Sequence, residues 1–189
     1  MNLILVRHGE IPSNIKKVYA GRRPEKLNDK GIRQSQDVAK KLLDFRVDAI
    51  YTSPIQRAVQ TAEIIREKLN VNVVTMTAFR ELEMGPWEGM SEIGIARQYP
   101  KEWKIWNTRP AELRLSGRET LDELQERVLT GINAVYQNNT DKNIVIITHV
   151  AIIRVLLLWH EKKSLNLYKK IHVPNAAIFE LKLDADTGM

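Results

Sequence analysis

"LILVRHGE", residues 3–10, joins an apolar run directly to a cation, an imidazole, a glycine and a carboxylate. An unbroken run of Leu, Ile and Val is typical of a strand buried on both faces of a parallel sheet, so residues 2–6 are predicted to form one. Polar residues also follow a strand that simply reaches the surface. Whether Arg7, His8 and Glu10 form part of a functional site therefore depends on which other residues lie at the end of this strand.

The rest of the chain alternates strand patterns with helix patterns. Apolar spacing predicts a helix over 29–45 whose buried side carries Ile32, Val38, Ala39, Leu42 and Leu43. Further strands are predicted at 48–53, 71–76, 143–149 and 177–183, and further helices at 54–69, 120–138 and 150–159. This alternation predicts an α/β fold with a mostly parallel sheet. The length of 189 residues predicts one domain spanning 1–189.

The helix over 54–69 has a predicted start. Ser53 is expected to be its N-cap, Pro54 fits the first helical position, and Gln56 occupies the third position of a capping box. Arg57 is therefore placed in the first turn, close to the end of the preceding strand.

Composition limits the chemistry. The chain has no cysteine, which excludes disulfides, thiolate metal sites and a thiol nucleophile. No apolar run approaches the roughly 18 residues of a membrane span, and no targeting segment is evident, so we expect a cytoplasmic protein without a membrane partner. The net charge is +6, and the basic residues that cause it occur as scattered pairs along the chain. This pattern argues against nucleic-acid binding and permits a basic pocket for an anionic small molecule.

A second strand has the same pattern as the first, because in "VIITHV" an apolar run is followed by a histidine, His149, directly before a predicted helix. Sites in open α/β sheets form at the carboxyl ends of strands, beside helix N-termini that favour anions. We therefore expect Arg7, His8, Arg57 and His149 to meet at one edge. Two guanidinium groups and two imidazoles suit a phosphate group.

With these residues in place, the sequence resembles the histidine phosphatase superfamily, which includes cofactor-dependent phosphoglycerate mutases and related phosphatases. The resemblance extends over almost the whole chain. Its ordered motifs are "LVRHGE", "AGRRPEKLNDKGIRQS", "YTSPIQRAVQTAEII", "FRELEMGPWEG", "ITHVAIIRVLL" and "PNAAIFEL". It implies a phosphoglycerate mutase-like three-layer α/β/α sandwich.

The resemblance also implies residue roles. His8 is the nucleophile that forms a phosphohistidine, Arg7, Arg57 and His149 hold the phosphoryl group, and Glu81 is the proton donor. Asn14, Gly21 and Val150 match further phosphate-binding or substrate-binding positions. No metal or other cofactor is expected.

Spacing alone does not choose among the carboxylates near the motifs. Glu10, Glu81 and Glu83 are all candidates for the acid, and the choice of Glu81 follows from the resemblance of "RELEMG" to the family. Three other arginines, Arg22, Arg23 and Arg118, are read either as additional substrate ligands or as solvated surface.

The segment 80–118 is an irregular excursion with short helices. Its Trp103 and Trp106 are expected either to form a mobile lid or, as we favour, the buried face of an amphipathic helix.

The predicted function is a metal-independent phosphomonoesterase for a small phosphorylated metabolite, such as a sugar phosphate or α-ribazole phosphate. The compact "RELEMGPWEG" favours hydrolysis over the alternative, a 2,3-bisphosphoglycerate-dependent phosphoglycerate mutase, which is expected to need a longer insertion. A noncatalytic phospho-ligand or protein-binding module is a further alternative, but it gives no reason to keep a nucleophile and an acid. A monomer or homodimer is expected.

Overall fold

A computed structural model describes residues 1–184 of the chain. Its sheet has five strands in the order β3-β2-β4-β1-β5. The strands are β1 (Asn2–Arg7), β2 (Ala49–Thr52), β3 (Val73–Thr75), β4 (Asn143–Thr148) and β5 (Ile178–Lys182). Strand β5 is antiparallel to β1, and the other neighbours are parallel. The predicted mostly parallel sheet is confirmed.

Helices cover both faces of this sheet. They are α1 (Pro12–Lys16), α2 (Asp29–Leu42), α3 (Gln56–Leu69), α4 (Glu92–Gln98), α5 (Pro100–Thr108), α6 (Leu121–Tyr136) and α7 (Val150–His160). Because side chains alternate along a strand, Ile4 and Val6 of β1 pack with α2 and α3, while Leu3 and Leu5 pack with α6 and α7. The predicted three-layer sandwich is confirmed. Among residues 1–184, no helix is long and apolar enough to cross a membrane.

Helix α2 is rotated relative to the prediction. Val38, Ala39 and Leu42 are buried as predicted, but Ile32 and Leu43 are 39% and 52% exposed, and Gly31 and Ser35 complete the buried side. The cause is a backbone contact between Gly31 and the loop after β1, since a Cβ atom on Gly9 would lie 2.3 Å from the carbonyl oxygen of Gly31. Only glycine permits this approach, and it fixes which face of α2 meets the sheet.

The predicted cap of α3 is wrong. The helix begins at Gln56, with Ile55 as an N-cap that makes no side-chain hydrogen bond. The Ser53 hydroxyl accepts the Ile55 N–H at 3.2 Å, and the Ser53 N–H continues the sheet by donating to the Ile147 carbonyl at 3.0 Å. Ser53 therefore continues the sheet directly after β2, and its hydroxyl does not cap α3 but contacts His149, the residue after β4.

The excursion at 80–118 packs onto the α6 and α7 side of the sheet. Trp106 is 2% exposed and contacts the rings of Trp87 and Tyr168 at centroid distances of 6.2 and 5.2 Å. Trp103 is partly buried against the same cluster. The buried-face interpretation of this pair is confirmed. Helix α6 begins with a capping box, because the Thr120 and Glu123 side chains each accept from the other's backbone N–H.

Candidate active site

Three neighbouring strand ends form a row of polar side chains. Arg7 lies opposite Thr148, and Thr52 lies opposite Ile147, so the carboxyl ends of β1, β4 and β2 are level. The residues immediately after these strands are His8, His149 and Ser53. The sequence prediction that both histidines reach one edge is met, and the structure adds a serine to them.

His8 is held in one orientation by its own loop. It is 3% exposed, and its Nδ1 lies 2.7 Å from the carbonyl oxygen of Gly9. A carbonyl only accepts, so this contact assigns the proton to Nδ1 and the lone pair to Nε2. The Nε–H of Arg57 donates to that Nε2 at 3.1 Å. The imidazole is therefore a neutral group with its lone pair in the cavity.

Arg57 is fixed by the loop that follows α1. The side chain is 1% exposed, and its Nη1 and Nη2 donate to the carbonyls of Arg23 at 3.1 Å and Gly21 at 2.6 Å. Gly21 has φ +53°, and a Cβ there would lie 2.3 Å from a carboxylate oxygen of Glu88. Glycine is therefore needed at the position whose carbonyl orients Arg57.

His149 pairs with the serine of the neighbouring strand. Its ring centroid lies 5.2 Å from that of His8, and its Nε2 lies 2.7 Å from the Ser53 Oγ. The Ser53 hydroxyl already accepts the Ile55 N–H, so donating its own proton to Nε2 satisfies both of its roles. The proton of His149 then resides on Nδ1, a buried atom with no hydrogen-bond partner among residues 1–184.

Arg7 lies beside the two imidazoles. Its Nη1 donates to the carbonyl of Val173 at 2.6 Å, while its buried Nε has no partner in the described part of the chain. Buried polar donors are almost always satisfied in folded proteins. Two unsatisfied donors, on Arg7 and His149, are therefore free to donate to an acceptor bound at this edge, such as a phosphoryl oxygen.

Of the three candidate carboxylates, Glu81 is the one that lines the cavity with His8. It is 8% exposed, and its Oε1 accepts the Leu82 N–H at 2.7 Å. Glu10 instead accepts from Asn28 and Lys30, and Glu83 pairs with Arg22.

Burial dominates the protonation of these groups. Desolvation raises the pKa of Glu81, although Arg57 and Arg7 oppose the rise. Desolvation also lowers the pKa of His8 and of His149 well below the usual histidine value, and Arg57 lowers both further. Burial lowers the pKa of Arg7 to about 10. At neutral pH the site therefore combines neutral imidazoles with charged arginines and a carboxyl group that holds its proton more tightly than usual.

The cavity around these groups has a volume of about 270 Å³. Asn14, Gly21 and Val150, predicted as binding residues, all line it. The Asn14 Oδ1 accepts from the Ile11 N–H at 3.1 Å and from the Asn175 side chain at 3.0 Å. The other lining residues include Ile11, Tyr19, Met84, Glu92, Trp106, Arg154, Tyr168 and Lys169.

Sequence reasoning missed Ser53 and Asn175. Asn175 Nδ2 donates to the carbonyls of His8 and Gly9 at 3.2 and 3.3 Å, and so holds the same loop that orients His8. Ser53 follows β2 as His8 follows β1 and His149 follows β4, and that parallel is the signal that could have identified it. Asn175 lies in the motif "PNAAIFEL", and that motif is the signal that could have identified it.

The three additional arginines do not join the cavity lining. Arg22 pairs with Glu83 and Glu119, and Arg23 lies 3.7 Å from a Glu88 oxygen. Arg118 is 6% exposed, with its guanidinium carbon 4.3 Å from the centroid of the Trp106 ring. Arg118 is therefore part of the buried aromatic cluster and not solvated surface.

No cluster of three or more His, Asp or Glu side chains within residues 1–184 could hold a metal ion. The anion ligands that the site offers are instead guanidinium and imidazole N–H groups.

The chain is similar in sequence to known phosphatases. The chain is 37% identical over 153 residues to the uncharacterized phosphatase PhoE of Bacillus subtilis (strain 168). This alignment covers 81% of this chain and 74% of that protein. It is 29% identical over 156 residues to phosphoserine phosphatase 1 of Hydrogenobacter thermophilus, covering 82% of this chain and 74% of that protein.

The fold is shared with a solved structure, Bacillus stearothermophilus YhfR. The two superpose with a TM-score of 0.92 at 24% identity, over 97% of this chain and 92% of that one. The sequence model of the histidine phosphatase superfamily (branch 1) matches residues 3–188. This match covers almost the whole chain and every site residue described above, and the chain belongs to the histidine phosphatase superfamily.

Proposed function

We propose that this protein is a metal-independent phosphomonoester hydrolase that acts on a small phosphorylated metabolite through a phosphohistidine at His8. One observation carries the proposal. The lone pair of a buried, neutral His8 accepts from Arg57, and Arg7 and the buried carboxyl group of Glu81 line the same cavity.

In the first half-reaction, the His8 Nε2 lone pair forms a bond to phosphorus while the bond from phosphorus to the ester oxygen breaks. That oxygen takes the bonding electron pair, and Glu81 gives it a proton. The raised pKa of Glu81 keeps this proton available. Arg7, Arg57 and the Nδ1–H of His149 donate to the phosphoryl oxygens, and Arg57 exchanges its bond to Nε2 for one to the phosphoryl group.

In the second half-reaction, water attacks the phosphohistidine. Glu81, now a carboxylate, takes the water proton, and the bond between phosphorus and Nε2 breaks with its electron pair returning to the imidazole. Inorganic phosphate leaves, and His8 is again neutral with its proton on Nδ1. One carboxyl group thus serves as acid and then as base.

The charge argument supports metal independence. A phosphoryl dianion meets the guanidinium groups of Arg7 and Arg57, which supply the neutralisation that magnesium gives to other phosphoryl-transfer enzymes. Relatives whose names identify them as phosphatases support hydrolysis over mutase chemistry.

The test is phosphate release from an aryl phosphate in the presence of EDTA. Wild-type protein is expected to turn over, and His8→Ala is expected to lose at least about 10³-fold in rate. His160→Ala, at the far end of α7, is the matched histidine control and is expected to retain full activity. Loss of wild-type turnover in EDTA contradicts metal independence, and an active His8→Ala protein contradicts the nucleophile.

The same preparation separates hydrolysis from the mutase alternative. A mutase interconverts 2- and 3-phosphoglycerate in a reaction that depends on bisphosphoglycerate, whereas the proposed hydrolase releases inorganic phosphate. Rapid interconversion without phosphate release contradicts the proposal.

A further inference from the structure

The cavity has a second group of charged residues that the proposed chemistry does not use. We call it the outer wall: Tyr19, Glu92, Trp106, Arg154, Tyr168 and Lys169. Its charged members are less buried than His8 and Arg57, since Arg154 and Lys169 are partly buried and Glu92 is exposed. The leaving group of a phosphoester, attached to phosphorus bound at His8, has to lie along the remaining cavity wall.

Arg154 is a preorganised anion ligand in this wall. It extends from α7, and its Nε donates to the carbonyl of Ile171 at 2.9 Å. Its guanidinium carbon lies 4.9 Å from the centroid of the Tyr168 ring. A guanidinium carries five N–H donors in a fixed plane, so this anchoring leaves donors for a ligand.

Lys169 supplies a second cation that is similarly held. Its Nζ lies 4.7 Å from the Trp103 ring centroid and 5.8 Å from that of Trp106, and it donates to the Asn107 side chain. These contacts restrict a side chain that is otherwise among the most flexible. An ammonium group has three donors, and ring contacts do not consume them.

Charge in the cavity does not balance without a further anion. Arg7 and Arg57 match a phosphoryl dianion, and Glu81 is neutral when it acts as the acid. The outer wall contains two cations, Arg154 and Lys169, and one carboxylate, Glu92, whose Oε1 accepts from the Tyr19 hydroxyl at 3.1 Å. One positive charge is left over. Burial lowers the pKa of Lys169, Glu92 raises it, and Arg154 lowers it again, so these charges act on one another.

We propose that the outer wall selects phosphomonoesters whose leaving group carries a carboxylate, bound by Arg154 and Lys169; this rests on the proposed phosphatase function. A single excess positive charge matches a monoanion better than a second phosphate dianion. The cavity volume of about 270 Å³ also favours a compact leaving group.

The test uses two substrates that differ in one group. 3-Phosphoglycerate carries a carboxylate where glycerol 3-phosphate carries a hydroxymethyl group, and the two are otherwise alike in size. With phosphate release as the readout, wild-type kcat/KM is expected to be at least about 10-fold higher for 3-phosphoglycerate, because charged hydrogen bonds are stronger than neutral ones.

Substitutions locate the preference. Lys169→Gln and Arg154→Gln are each expected to lower the ratio of the two kcat/KM values about 5-fold or more, because 3-phosphoglycerate loses a charged hydrogen bond where glycerol 3-phosphate loses only a neutral one. Lys170→Gln is the matched control, because it removes the same charge from an exposed neighbour that does not line the cavity. It is expected to leave the ratio unchanged.

A second pair, fructose 1,6-bisphosphate and fructose 6-phosphate, asks whether a second phosphate is preferred instead. Equal wild-type turnover of the first pair, a preference confined to the bisphosphate, or a Lys169→Gln protein with an unchanged ratio overturns the carboxylate assignment. p-Nitrophenyl phosphate, which has no carboxylate, tests the phosphatase alone. If the protein hydrolyses p-nitrophenyl phosphate but does not prefer 3-phosphoglycerate over glycerol 3-phosphate, only the outer-wall proposal is overturned. If it does not hydrolyse p-nitrophenyl phosphate, the proposed function is overturned.

Discussion

At the inner end of the cavity His8 and Arg57, together with His149 packed against His8, are at most 3% exposed, whereas in the outer wall Arg154 and Lys169 are partly buried and Glu92 is exposed. The inner residues follow strand ends or begin a helix, and they are held by hydrogen bonds to backbone carbonyls or to Ser53. The outer residues come from loops and helix surfaces, and ring contacts hold several of them.

The difference separates two tasks. A group fixed by the sheet and by backbone carbonyls keeps one geometry whatever ester is bound, which suits the phosphoryl group common to all substrates. A wall of long side chains drawn from several separate helices and a loop is suited to discriminate among leaving groups. Changes at the inner end should therefore lower the rate for every substrate, and changes in the outer wall should alter the choice of substrate.

The largest expected effect comes from Glu81→Gln, and it depends on the leaving group. An alkyl phosphate needs a proton on the departing oxygen, so kcat is expected to fall about 10²-fold to 10⁴-fold. Release of p-nitrophenolate needs little help, so formation of its product in the first turnover should fall far less. Stopped-flow measurement of that first turnover checks this, and equal losses for both esters contradict the role of Glu81 as acid.

The pH dependence of the same variant gives a second readout. The acid form of Glu81 is active, so alkyl phosphate hydrolysis is lost as pH rises through its pKa, which burial places above the usual carboxyl value. On the other side, activity is lost as pH falls and His8 becomes protonated, below its usual range because burial lowers its pKa. Glu81→Gln should abolish the alkaline limb and retain the acid limb.

Ser53→Ala is expected to reduce kcat by roughly 10-fold to 100-fold for every substrate, because His149 loses the hydroxyl that keeps its proton on Nδ1. Nitrogen NMR of His149 should show a shift toward the other tautomer, and Ser53→Thr should restore both rate and tautomer. The control is Ser35→Ala, which removes another fully buried hydroxyl, bonded to Gly31 in α2. An unchanged tautomer in Ser53→Ala contradicts this account.

The strands and the inner end follow from sequence because their determinants are local. An apolar run followed by histidine occurs at β1 and β4, and parallel strands necessarily bring their carboxyl ends together. Ser53 was misread because the Ser-Pro pair also fits a helix cap, and only the register of β2 on β4 shows that its hydroxyl meets His149.

The outer wall had no such local signal. Tyr19, Trp106 and Lys169 are far apart in sequence, and they meet through aromatic packing rather than a repeating pattern. The rotation of α2 was missed for a similar reason. Its buried face is set by the contact of Gly31 with Gly9, and hydrophobic periodicity does not report a contact between two glycines.

The smallest expected effect comes from Tyr19→Phe in the outer wall. The hydroxyl bonds Glu92 and the Trp106 Nε1, at 3.1 and 3.3 Å, and its loss should change KM for bulky esters only a few-fold. Inhibition by inorganic phosphate should be unchanged, because that ligand needs only the inner end. A weakened phosphate Ki in Tyr19→Phe would show that the two ends are not separate.

The most direct test of the mechanism is to find the phosphoryl group on the protein. Glu81→Gln should accept phosphate from an activated aryl ester but hydrolyse the intermediate slowly, so the intermediate should accumulate. After a quench in alkali, radiolabelled phosphate and peptide mapping should place an alkali-stable, acid-labile label on the peptide that contains His8. A label on any other residue, or turnover by the His8→Ala protein at the wild-type rate, contradicts the account.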